Sequence, residues 1–235
     1  MASLPTIKRA IRSAADPSRA AACARFFKTG AGEYAQGDQF LGVTVPTMRT
    51  IAKQYHACSF THAEQLLQSR SHEDRFVALL LLIARFNGGD AREQRAVYQC
   101  YLHNTVRVNN WDLVDTSAYH IVGAYLLRRP RGVLARLARS PQLWERRIAI
   151  VATYAFIRHG QLTDTFRIAQ ILLRDPHDLI HKATGWMLRE AGKRSTAALE
   201  TFLRLHAAAM PRTMLRSAIE RLPSDARSMY LHAHA

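Results

Sequence analysis

The chain has 235 residues, with 33 Lys or Arg against 18 Asp or Glu, for a formal charge of +15. Apolar residues make up 48% and charged residues 22%, which is the composition of a folded domain and excludes a disordered one. Apolar stretches such as 148–157, ten residues with Thr153 among them, fall well short of the roughly 20 that a membrane-spanning helix needs, so no membrane partner is expected.

Residues 1–10 carry Lys8 and Arg9 with no apolar run behind them, so no secretory signal is expected. Cys23, Cys58 and Cys100 are far apart and odd in number, with no CxxC pair. They point to a reducing compartment, hence a cytoplasmic protein. The cationic excess creates a field that attracts polyanions, nucleic acid foremost. Charge serving solubility alone is the competing explanation, and it fits less well because the arginines recur at set places.

In chain order, helical periodicity covers 4–14 and 19–28, then 46–55 and 63–69 after a glycine-rich non-helical stretch at 29–45. Next comes 71–86, apolar nearly all round, which predicts a helix buried between layers. Helices over 91–103, 111–128, 133–139, 143–158, 163–173, 179–191, 197–206, 214–222 and 225–231 follow, and no alternating strand pattern interrupts them. Asp16-Pro17, Ser140-Pro141 and Asp175-Pro176 read as N-caps followed by proline, Ser224 as another cap, and Gly160 and Gly192 as helix ends.

Four helical segments begin with a cation before an apolar run: Arg75, Arg147, Lys182 and Arg216. Their spacing suggests an all-α, curved solenoid of irregular HEAT-like pairs forming one domain over 1–235. Equivalent positions then line a concave basic groove, with one carboxylate, Asp115, in the missing unit between Arg75 and Arg147. A phosphate backbone suits the cations. The lone acid is either a reacting group or a structural one, paired with an arginine or capping a helix; Asn109-Asn110 already offer caps there, and Asp112 already occupies the acid-favouring first turn. Trp111 lies four residues before Asp115 and shares its helix face, as Trp186 does with Lys182. Each tryptophan either stacks on bases or sugars or packs in the core; for Trp144 the core is the simpler assignment. His177 and His181 have a metal-like i,i+4 spacing but no third ligand, which favours a solvated helix face, with no metal and no cofactor expected.

The segments Asn110-Trp111-Asp112-Leu113-Val114-Asp115, Leu143-Trp144-Glu145-Arg146-Arg147-Ile148-Ala149 and Lys182-Ala183-Thr184-Gly185-Trp186-Met187-Leu188-Arg189-Glu190 form an ordered set. Together they resemble the central motifs of the AlkD-like DNA alkylation repair family. Phe40-Leu41-Gly42-Val43 with Pro46 and Arg49 is similar to its N-terminal motif, and Met210-Pro211-Arg212-Thr213-Met214-Leu215-Arg216 to its C-terminal one. The resemblance runs in unbroken order over about residues 20–222.

It implies a HEAT-like DNA glycosylase, monomeric, that removes cationic N3- and N7-alkylated purines from duplex DNA. By motif, Asp115 is the catalytic carboxylate, Trp111 and Trp186 flank the damaged nucleotide, and Arg147 contacts phosphate. Spacing alone does not choose Arg147 over Arg146; the motif does. Lys182, Arg158, Arg212 and Arg216 complete the expected DNA-binding set. Phe26 stands where a tyrosine is common in the family, which removes a hydroxyl, and Ser217 where an aromatic often follows the arginine, which thins one wall of the groove. A non-catalytic module for damaged or branched DNA, or a scaffold for an acidic partner, is the alternative to excision.

Overall fold

The computed structural model describes residues 3–232, and these are helical, with a single isolated bridge between Gln39 and Ser71 and no strand. The chain forms two compact units, residues 1–117 and 118–235.

The first unit contains α1 (Leu4–Ser13), α2 (Pro17–Phe26), α3 (Val45–Gln54), α4 (Phe60–Leu67), α5 (His72–Gly88), α6 (Ala91–His103) and α7 (Trp111–Ala118). The first six share one starting device. Ser3, Asp16, Thr44, Ser59, Ser71 and Asp90 each accept from the backbone N–H three residues on, a cap worth about 1 kcal/mol apiece. α5 is the buried helix that its all-round apolar pattern predicts, and it packs against α1, α3, α4 and α6. Its first turn is also buried, although it reads His72-Glu73-Asp74-Arg75. The stretch 29–45 is pinned to that turn. Glu73 accepts from the backbone N–H groups of Leu41, Gly42 and Val43 at 2.9, 2.7 and 3.4 Å. Gly42 sits at φ +80°, where a Cβ would lie 2.2 Å from the Asp16 carbonyl oxygen, so only glycine fits.

The second unit opens with a π turn, Tyr119–Gly123, and continues through α8 (Ala124–Leu126), α9 (Gly132–Ala138), α10 (Leu143–Ala152), α11 (Tyr154–Arg158), α12 (Thr163–Leu172), α13 (Asp178–Arg194), α14 (Thr196–His206), α15 (Arg212–Ile219) and α16 (Ser224–His232). α10, α13 and α15 contact one another in succession, while α9 and α12 pair behind them and α14 packs on α13. α13 and α15 approach closely because Gly185 has no side chain: a Cβ there would lie 2.6 Å from both the Met214 carbonyl oxygen and Ser217 Cβ. Ser217, where a larger residue was expected, is therefore part of this tight helix crossing.

Several boundary expectations need correction. The helix expected over 143–158 breaks at Thr153, whose hydroxyl donates back to the Ile150 carbonyl at 2.7 Å. The helix expected over 111–128 contains the π turn and ends at Leu126. Ser140 and Asp175 are not N-caps. α10 starts at Leu143 without a side-chain cap, and α13 starts at Asp178 with His177 as its cap, because Asp175 is held by Arg146. Ser224 is the first residue of α16 rather than a residue preceding it. Gly160 does end a helix, at φ +72°, but Gly192 lies inside α13, where Leu199 occupies the space a Cβ would take.

Candidate functional site

In the first unit the site is built on the start of α7. Asn110 caps it locally, its Oδ1 accepting from the Trp111 N–H at 2.8 Å. Asp112 accepts from the Leu113 N–H through Oδ1 at 2.9 Å and bonds His72 Nε2 through Oδ2 at 2.8 Å. Leu113, Val114, Ser117 and Ala118 are buried, whereas Trp111 and Asp115 are partly exposed. This is the shared outer face that their four-residue spacing requires. The Trp111 ring stacks on Phe27 at 5.3 Å and meets Phe26 edge-on at 6.1 Å. Phe27 in turn stacks on Phe40 at 4.9 Å, and Phe40 on His72 at 4.4 Å. Phe26 is 66% exposed, so the tryptophan is backed by rings on one side and edged by an open aromatic. Behind α7, burial pushes the Tyr101 phenol up, its hydrogen bond with Ser117 opposes that, and the Asp115 charge adds to the rise.

Two charged groups behind this aromatic stack are more unusual. His72 is buried, with Nδ1 3.0 Å from Asp38 Oδ2 and Nε2 2.8 Å from Asp112 Oδ2. Burial opposes a charged ring, but the two carboxylates outweigh it and His72 is pushed up to about 9. Asp38 feels the same burial, and its bonds to His72 and the charge of Arg75 hold its carboxyl below the usual range.

In the second unit Trp186 is partly exposed and lies 6.1 Å from the Tyr154 ring, which meets Tyr119 edge-on at 5.3 Å. Lys182 is exposed and pairs with Asp178 at 2.7 Å. Arg158, at the end of α11, is exposed. Arg212 is exposed and donates to the Leu231 carbonyl at 2.7 Å. Arg216 is exposed and lines an open hollow of about 400 Å³ with Glu220, Arg227 and Ser228. Trp144 is buried, as its core assignment requires.

Asp115, Arg147, Lys182 and Arg216 are each the fifth residue of α7, α10, α13 and α15, so they share a position within their helices. Arg75 does not share it, being the fourth residue of α5. Arg75 is 3% exposed, pairs with Asp38, and donates to the Ser69 and Arg70 carbonyls at 3.0 Å. Its counterpart is Arg146, the fourth residue of α10, which pairs with Asp175 and donates to the Ser140 and Pro141 carbonyls at 3.1 and 2.9 Å. Arg75 is therefore a structural lock and not a groove cation. Arg147 also departs from an exposed groove position. It is 5% exposed and donates to the Leu179 carbonyl at 2.5 Å, because the start of α13 lies against this face of α10. His177 and His181 are not a solvated face: Nδ1 of the first accepts from the Leu179 N–H, and Nε2 of the second bonds the Asp175 carbonyl.

Sequence reasoning missed His72, Asp38, Glu73 and Phe27 around Trp111, and Tyr119 and Tyr154 beside Trp186; Phe40 was named in a motif but given no role. One signal was present: four ionisable residues opening a helix whose remainder has no polar face.

Three comparisons bear on this geometry. A family model described as "DNA alkylation repair enzyme" matches residues 7–222. A solved structure described as a predicted DNA alkylation repair enzyme from Enterococcus faecalis superposes with a TM-score of 0.70 at 18% identity, over 89% of this chain and 97% of that one. None of the curated proteins matches the chain.

Proposed function

Because the chain belongs to the DNA alkylation repair enzyme family, we propose that it is a monofunctional DNA glycosylase excising cationic N3- and N7-alkylated purines, such as 3-methyladenine and 7-methylguanine, from duplex DNA. The observation that carries this is Asp115: a carboxylate kept partly accessible on a chain of charge +15, one helical turn from a partly exposed tryptophan.

An N7-alkylated purine departs as a neutral base, so the leaving atom needs no proton and a general acid is dispensable. The charge that develops is on the sugar, which becomes oxocarbenium-like. Asp115 stabilises that cation and orients the attacking water. At about 4 Å and an effective dielectric of 20, such a contact contributes roughly 4 kcal/mol, on the order of a thousandfold in rate. That suffices for a bond already weakened by alkylation and not for a normal nucleoside, so selectivity follows from the chemistry. Trp111 flanks the sugar beside Asp115, and Trp186 has the same duty in its own unit. The exposed Lys182, Arg158, Arg212 and Arg216 hold phosphates. This chemistry calls for neither metal nor cofactor, and no lysine is assigned as a Schiff-base nucleophile, so the abasic strand stays uncleaved.

The test is release of free base from methylated duplex DNA under single-turnover conditions. Asp115→Asn should lose about a thousandfold in rate while binding duplex with unchanged affinity. Normal release by Asp115→Asn would reassign the carboxylate. Duplex binding without any release by the wild-type protein would make the chain a non-catalytic module for damaged DNA.

A further inference from the structure

We propose that His72 is a positioning residue for the candidate carboxylate: by bridging Asp38 and Asp112 as a doubly donating imidazolium, it fixes the start of α7 and with it Trp111 and Asp115. This rests on the assignment of Asp115 as the reacting group.

The geometry alone demands the charged ring. Both ring nitrogens face carboxylate oxygens, at 3.0 and 2.8 Å. A neutral imidazole carries one N–H and would leave its bare ring nitrogen facing a carboxylate oxygen with no proton between them. Asp38 is itself anchored by Arg75, so the chain Arg75–Asp38–His72–Asp112 runs from the first turn of α5 to the first turn of α7. A second path runs in parallel: His72 lies 5.3 Å from the Phe27 ring, and Phe27 stacks on Trp111. α7 is only eight residues long, so the Asp112 tether acts on a large share of it. Displacing that turn by a fraction of an ångström shifts a carboxylate whose contribution depends on distance to the sugar.

The other groups near the ring are accounted for. Glu73 is committed to the backbone of residues 41–43, and Asp74 to Arg12 of α1. The Gln39 carbonyl accepts the His72 backbone N–H. Cys23 of α2 is a further titratable group that feels Asp112: its thiol is pushed up by burial, by Glu73 and by Asp112, with Arg19 opposing. Asp115 itself lies one turn further along α7.

The test combines a pH profile of single-turnover base release from methylated duplex, with enzyme-free controls at each pH, and two readouts that need no activity. These are the His72 ring resonance by NMR, assigned by its loss in His72→Gln, and the Trp111 emission, taken as the difference from Trp111→Phe. The wild-type rate should fall at least tenfold above a midpoint near pH 9 while circular dichroism stays constant, and the ring resonance and Trp111 emission should move with the same midpoint. Asp112→Asn should shift that midpoint downward by a unit or more, and Cys23→Ser should leave it in place. His72→Gln should release base at least tenfold more slowly at pH 7.5, without an alkaline limb, and with duplex affinity within twofold. A flat profile to pH 10, a limb unmoved by Asp112→Asn, or a limb abolished by Cys23→Ser would overturn the proposal. If the wild-type protein releases no base at all, the assignment of Asp115 fails on its own. The NMR and emission titrations then still decide the positioning: coincident midpoints support it, and an emission unaffected by the His72 titration overturns it.

Discussion

The starts of α5 and α10 share one device and differ in what is attached to it. In both, the fourth residue is an arginine that donates to the carbonyls five and six residues before it and pairs with a buried aspartate. The guanidinium thus satisfies chain ends that would otherwise leave orphaned carbonyls, and the fork geometry of arginine makes this possible where lysine would not suffice. At α10 the device stops there, since the first residue is Leu143 and the second Trp144. At α5 the first residue is His72, which extends the same aspartate to a second one on α7. The first unit's lock is therefore deeper and titratable, with side chains 3% and 1% exposed at α5 against 14% and 2% at α10.

The largest expected effect comes from breaking the α5 lock. Asp38→Asn leaves two buried cations, Arg75 and His72, short of a counter-charge, and should cost about 3–5 kcal/mol. The midpoint of thermal unfolding should fall by roughly 10 °C or more. Asp175→Asn at α10 removes a pair with more water access and no histidine, and should cost about 1–3 kcal/mol. Thermal denaturation of the two variants side by side checks the ranking; equal losses would mean that the histidine extension adds nothing to the lock.

A pH series sharpens the same contrast. The folded value for His72 lies above the unfolded one, so its stabilisation is complete below about pH 6.5 and is lost as pH rises through about 9. Asp38 has the opposite sign: held below its ordinary value, it stabilises above about pH 4 and its contribution is lost at lower pH. Denaturant titrations should show a plateau between these limits, and His72→Gln should remove the alkaline slope. The smallest effect concerns the second unit's cations. Four exposed ones give a slope of log K on log salt of roughly −3.6 for duplex DNA, and Lys182→Gln should reduce its magnitude by about 0.9. Arg147→Gln should leave the slope unchanged if its buried bond to Leu179 persists on DNA. A reduced slope would place Arg147 among the phosphate contacts.

The helices were legible in the sequence because their signals are local. Proline and capping residues mark where most begin, and apolar periodicity marks which face is inside. Trp111 with Asp115 was legible for the same reason, as an i,i+4 pair on one helix. The locks were not. Asp38 reaches Arg75 across 37 residues and Arg146 reaches Asp175 across 29, and no periodic pattern encodes such a pairing. Cationic positions that look alike in sequence, Arg75 and Arg216, thus have opposite fates, one buried on a carboxylate and the other open to solvent. The choice of Arg147 over Arg146 shows the same limit: adjacent arginines differ only in what the neighbouring helix brings to them.

Glu73 has a consequence for how this sequence can drift over evolutionary time. It holds residues 41–43 through their main-chain N–H groups, which every amino acid except proline supplies alike. Substitutions along that segment are therefore cheap wherever the side chain itself is uninvolved, while the acid on α5 and the glycine it faces are not exchangeable. Distant homologues should be traceable by that two-residue signature, a glycine followed about thirty positions later by a glutamate opening a greasy helix, long after the intervening letters have diverged.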